Sequence, residues 1–113
     1  VNQKVTINGI DIEIGSDNPY ADLGFPDADE MLVKAKLAHE ISQIIRSRHL
    51  TQQVAADLLG MPQPKLSEML RGKFRGISQA KMIECLNRLG RDVDIVVKKT
   101  SRSAPGHTQV VLA

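Results

Sequence analysis

Tryptophan is absent from this 113-residue chain, and its aromatic residues are Tyr20, Phe25 and Phe74. With so few rings the core must come from Leu, Ile, Val, Ala and Met, which suits packed helices. Cys85 is the single cysteine, which excludes an intrachain disulfide and a cysteine-based zinc site. A lone thiol reads as a small helix residue near the core and fits a reducing compartment. No apolar run approaches the roughly 20 residues of a membrane helix. Val1 to Lys4 shows no basic segment followed by an apolar core, so no secretory signal is expected and the expected location is cytoplasmic. His39, His49 and His107 are scattered, and no P-loop or G-x-S-x-G occurs. No catalytic residue, metal site or cofactor is therefore expected, and the chain is not read as an enzyme.

What is present is one small domain's worth of chain, with a net charge of +2 that is unevenly spread. From Val1 to Glu30 one base (Lys4) faces seven acids, a balance of −6. From Arg46 to Gly76 six bases (Arg46, Arg48, Lys65, Arg71, Lys73, Arg75) face Asp57 and Glu68, a balance of +4. A basic cluster of this kind is the footprint of a phosphate-binding surface, although solvated charge is also common.

The segment VTINGIDIEI alternates apolar and polar residues on both sides of Asn8-Gly9. Asn-Gly favours a two-residue hairpin turn, so a β-hairpin is expected. Residues 15–25 are rich in turn formers and read as a loop or linker. Asp27, with Glu30 three residues on, looks like a capping box opening a helix that runs to about Arg48. Thr51 is the expected cap of the next helix, and Gly60 can end it with a positive φ. Pro62 and Pro64 set the start of a second short helix, because proline is tolerated at a helix start. Ser78 caps a further helix that ends at Gly90. Asp92 to Lys98 (DVDIVVK) is rich in β-branched residues and is expected to be a strand. The chain divides into an N-terminal hairpin and linker (1–25), a helical domain with a C-terminal strand (26–98) and a polar, mobile tail (99–113).

Thr51 to Lys73, TQQVAADLLGMPQPKLSEMLRGK, is the most informative stretch. Two short helices joined by a tight glycine turn make a helix-turn-helix, the unit that places one helix in a DNA major groove. Ala56 is small where the helices cross. Leu66 and Met69 fill the space beneath the first helix. Gln63, Pro64, Ser67 and Glu68 are left on the solvent face, as the stripe that would meet base edges. On spacing alone, a plain helical hairpin without a nucleic-acid partner remains the other reading.

Leu50-Thr51-Gln52, Ala56, Gly60, Leu66 and Arg71-Gly72-Lys73 resemble the Cro/cI-type (XRE-like) helix-turn-helix domains, over about Ala35 to Gly90. More narrowly, ADLGFPDADEMLVKAKLAHEI, LLGMPQPKLSEMLRGK and CLNRLGRDVDIVV resemble the small HigA-type antitoxin group, over roughly Tyr20 to Lys98. The resemblance implies a mainly α, lambda-repressor-like bundle, here with the C-terminal β-strand and the N-terminal β-hairpin. It implies a homodimer on double-stranded DNA, repressing at a palindromic operator and often at its own promoter. The narrower group is commonly paired with a small RelE-like ribonuclease toxin, so neutralising a basic toxin is the alternative function. The acidic first 30 residues favour that alternative. Gln52 resembles the family glutamine that holds a phosphate. Gln63 is expected to read a base, by a bidentate contact to adenine. Glu68 can accept from a cytosine amino group or simply select against close phosphates, and Pro64 can pack on a thymine methyl. Lys65, Arg71, Lys73 and Arg75 are the remaining phosphate candidates. The phage repressors' fifth helix is replaced here by the expected strand, so their dimer contact does not carry over. Pairing through the strand or the hairpin is expected instead.

Overall fold

A computed structural model describes residues 3–7, 10–14, 18–100 and 105–113. In chain order the elements are β1 (Gln3–Ile7), β2 (Ile10–Ile14), α1 (Pro19–Asp22), α2 (Ala28–Ser47), α3 (Gln52–Leu59), α4 (Gln63–Leu70) and α5 (Gln79–Arg88). The long helix α2 forms the spine. Its buried stripe runs through Val33, Leu37, Ile41, Ile44 and Ile45. These residues share one core with Ala55, Ala56 and Leu59 of α3, Leu66 and Met69 of α4, and Met82, Cys85 and Leu86 of α5. The spacings of three and four are what a helix needs to bury one face. Burial also pushes the Cys85 thiol up from its ordinary value.

The helix ends follow local chemistry. Thr51 Oγ1 accepts from the Val54 N–H at 3.2 Å, and Ser78 Oγ accepts from the Lys81 N–H at 3.0 Å. Both are side-chain caps satisfying an unpaired first-turn donor. α3 ends in a Schellman turn. Gly60 takes φ +66°, the Met61 N–H reaches the Ala56 carbonyl at 3.1 Å and the Gly60 N–H reaches that of Asp57 at 3.3 Å. α2 closes in the same way without a glycine. His49 takes φ 54°, and the Leu50 N–H bonds the Ile45 carbonyl at 3.1 Å.

The β part of the expected architecture needs correction. Among the described residues Asp92 to Lys98 forms no strand, and no backbone hydrogen bond joins it to another segment. Its β-branched composition suits a pleated surface, but a strand also needs a neighbouring edge, and the described residues bring none beside it. Among the described residues β1 and β2 pair only with each other, antiparallel, with Val5 opposite Ile12 and Ile7 opposite Ile10. They add no strand to the helical body. The Asn8-Gly9 turn lies outside the described residues. The fold class is therefore a mainly α helix-turn-helix bundle, without the C-terminal strand.

Two further expectations change near the N-terminal side. Residues 15–25 were expected to be loop, yet Pro19–Asp22 is a helical turn. Asn18 caps it, its Oδ1 accepting from the Tyr20 N–H at 3.0 Å. The expected capping box does not form. Asp27 makes no side-chain cap bond, and its carboxylate pairs with Arg75 instead. Glu30 lies 3.4 Å from Lys34 Nζ.

Tyr20 anchors α1 in the core. It is fully buried, and its hydroxyl has no hydrogen-bond partner among the described residues. Burial pushes its pKa up from 10.0 to about 12, against the opposing pull of the Arg75 charge. The folded state thus keeps a proton that the unfolded chain releases from pH 10 upward. The contribution to stability is whole below pH 10 and is lost as pH rises towards 12, by up to about 2–3 kcal/mol. Urea unfolding across this range should show the loss in the native chain and not in Tyr20→Phe. At pH 7 Tyr20→Phe should match or exceed the native stability, since it removes an unpaired buried hydroxyl. A Phe variant that is clearly weaker at pH 7 would mean that the hydroxyl is satisfied.

Candidate nucleic-acid interface

α4 is held by its inward side and leaves its outward side unpartnered. Leu66 and Met69 are completely buried, while Pro64, Lys65 and Glu68 are exposed and Gln63 and Ser67 are half-buried. Pro62 precedes the helix without any side-chain cap, and Pro64 lies in its first turn, where a missing N–H disturbs no helical bond. The first turn of α4 therefore carries no protein side chain on its N–H groups.

The two glutamines assigned from the sequence meet. Gln63 Nε2 donates to Gln52 Oε1 at 2.9 Å, linking the first residue of α4 to the first residue of α3. This bond uses one amide hydrogen of Gln63. Its Oε1 and its second N–H remain, which is the acceptor–donor pair that a bidentate adenine contact needs. Gln52 keeps both of its own amide hydrogens at the exposed N-terminus of α3, where an anion is favoured. Among the described residues Ser67 and Glu68 make no side-chain hydrogen bond or ion pair, so their polar atoms are available.

The four basic candidates divide. Lys65, Arg71 and Lys73 are exposed, and none takes part in an ion pair among the described residues. Arg75 is different. Its guanidinium pairs with Asp27 and lies 5.1 Å from the centre of the Phe25 ring, a cation–π seat. Its charge is already answered within the chain, so it is the weakest of the four as a phosphate ligand.

Three positions that sequence reasoning passed over shape this surface. Lys34, only 4% exposed, sends its Nζ to the carbonyls of Arg75 at 3.0 Å and Phe74 at 3.5 Å. It ties the loop after α4 to the spine. Its sole sequence signal is a lysine inside the apolar stripe of α2. At the other end of the motif, Lys81 Nζ lies 3.4 Å from the Leu59 carbonyl and Arg88 Nη1 lies 3.4 Å from the Leu58 carbonyl. These two cations stand at the negative end of the α3 dipole. Glu84 lies between them, and Lys81, followed by Arg88, holds its carboxyl below the usual value.

A helix-turn-helix domain family matches residues 19–98, which is 80 of the 113 residues. A solved structure described as "Putative XRE Family Transcriptional Regulator" is 39% identical, with a TM-score of 0.71. The similarity covers 78% of this chain and 100% of that one. No curated protein matches. Among the described residues no helix is long and apolar enough to cross a membrane. The matched span contains every element from α1 to α5 and every residue of the α3–α4 surface, and the chain belongs to the helix-turn-helix domain family, as an XRE-like member.

Proposed function

We propose that this chain is a DNA-binding transcriptional regulator that reads a specific operator through α4, and that it represses as a dimer on a palindromic site. The observation that carries this reading is the α3–α4 surface. Along α3, α4 and the loop after it lie two joined glutamines and, without a side-chain partner among the described residues, Ser67, Glu68, Lys65, Arg71 and Lys73, while Leu66 and Met69 pack inward. That division suits base contact along one helix and phosphate contact around it. The basic balance of residues 46–76 supports it, as does the relative described as an XRE-family regulator. No catalytic role is part of this reading. The HigA-type subgroup and its toxin partner find no support in the comparisons, and the reading stands without them.

The test is a titration of the DNA upstream of the chain's own gene against random DNA, at several salt concentrations. Gln63→Ala should weaken specific binding by about 1–3 kcal/mol, roughly fivefold to a hundredfold, and leave random-sequence binding nearly unchanged. Lys65→Ala should weaken both alike and lower the salt slope by about one. Equal affinity of the native chain for both DNAs would sink the operator-reading proposal.

A further inference from the structure

The loop after α4 has its carbonyls engaged and its N–H groups unspent. The buried Lys34 ammonium meets the Phe74 carbonyl at 3.5 Å and the Arg75 carbonyl at 3.0 Å. Both peptides are trans, so the N–H of each points away from its carbonyl. The Arg75 and Gly76 N–H groups are therefore turned away from Lys34. Among the described residues neither they nor the Phe74 N–H meets an acceptor. Successive free N–H groups in a turn favour an anion.

The same loop lines a cleft of about 260 Å³, together with Phe25 and Met31. Phe25, Met31 and Phe74 make its apolar side, and Lys73 and Arg75 bring charge. That charge is only partly answered. Arg75 is paired with Asp27, and Lys34 lies 3.4 Å from Glu30. Lys73 has no ion-pair partner among the described residues. One positive charge is left over, which suits a monoanion. The apolar side decides the rest of the ligand. A bare phosphate gains nothing from two phenyl rings and a thioether, whereas a ring bearing an acid group meets both sides. Sites for drug-sized molecules run to about 300–1,000 Å³, so this cleft suits a single ring with a short acid arm.

We propose that the cleft binds a small aromatic monocarboxylate, its ring on Phe25, Met31 and Phe74 and its carboxylate on Lys73 and the free N–H groups of the loop. The loop follows α4 directly, and Lys73 is one of the cations assigned above to DNA phosphates. An anion seated there answers the charge that a phosphate would otherwise meet. The ligand is thus an effector that loosens the protein from DNA. This consequence rests on the DNA-binding reading above; the binding itself does not.

The isotope-labelled full-length chain, without DNA and at constant sodium concentration, is titrated with benzoate while its amide resonances are followed. Benzamide and inorganic phosphate serve as controls. Benzoate should give saturable shifts centred on residues 72–76, with a dissociation constant of about 1 mM, the scale for so small a ligand. Both controls should bind about tenfold more weakly or worse, benzamide for want of charge and phosphate for want of a ring. Lys73→Gln should raise the benzoate constant by about tenfold, and Lys73→Arg should keep it near the native value. The amide spectrum of each variant reports at once whether it is folded. Absence of saturable shifts in the loop, or an equal response to benzamide, overturns the site. An equal response to phosphate overturns the aromatic ligand. Benzoate binding that ignores Lys73→Gln overturns the role of that lysine. Saturating benzoate should also lower the affinity for upstream and random DNA alike, by about five- to tenfold near 0.1 M salt, the worth of one phosphate contact. Benzoate that binds without changing DNA affinity overturns the effector role. A chain that binds benzoate but prefers no DNA sequence sinks the operator reading and upholds the cleft.

Discussion

Replacing Leu66 by alanine should unfold this domain at a temperature roughly 10–30 °C below that of the native chain. Leu66 is completely buried on the inner side of α4, in one core with Ala56 and Leu59 of α3. Truncation removes apolar area from a completely buried position in that shared core. Leucine-to-alanine changes in such places cost about 2–5 kcal/mol. A domain of this size has only about 5–15 kcal/mol in all. Leu70, half-buried on the same helix, is the internal control and should lose much less. Urea and thermal unfolding would measure both. A loss at Leu66 below about 1 kcal/mol would mean that α4 does not depend on this contact for its seat.

The second large effect is expected at Gly60, and two causes compete for it. The residue sits at φ +66°, and a β-carbon built there would stand 2.7 Å from Arg88 Nη1. The close contact is with the far end of a flexible side chain, which can swing away at the loss of a 3.4 Å contact to the Leu58 carbonyl. The backbone has no such escape. A β-branched residue held in the left-handed region costs about 1–3 kcal/mol, so the φ term should dominate. Gly60→Val should therefore destabilise strongly, Gly60→Asn far less, and an Arg88→Ala background should recover little of the valine loss. Full recovery in that background would show that Arg88, not the backbone, is what demands glycine. Operator binding should fall together with stability in Gly60→Val, because the turn sets α4 against α3 and so sets the 2.9 Å bond between Gln52 and Gln63.

Much of the helical body is readable from the chain because its signals are local. Thr51 and Ser78 cap, Gly60 turns, and the apolar spacing of α2 to α5 runs through the helices found. Asn18-Pro19 carried the same kind of local signal for α1, an N-cap followed by proline, but the surrounding turn formers masked it. The failures are tertiary. Asp27 looks like a cap, yet Arg75, 48 positions away, takes its carboxylate. Lys34 looks like an interruption of an apolar stripe, yet carbonyls 40 and 41 positions away complete it. Asp92 to Lys98 has the composition of a strand, but no edge among the described residues meets it. At the proposed reading surface, spacing places Gln63, Ser67 and Glu68 on one outward face. It could not show that Gln63 leans on Gln52, or that Arg75 is already engaged.

The joined glutamines also limit how this protein can diversify. Among the described residues Ser67 and Glu68 make no side-chain hydrogen bond or ion pair, so under the proposed operator reading a change at either alters one point of contact and leaves its neighbours as they were. Gln63 and Gln52 share a hydrogen bond across two helices. A substitution at Gln63 that asks for a different base also releases the amide that aims Gln52. New operator preferences should therefore arise readily, one step at a time, at the 67 and 68 positions. Those at position 63 should require paired changes, making that end of α4 the slow-moving part of the code.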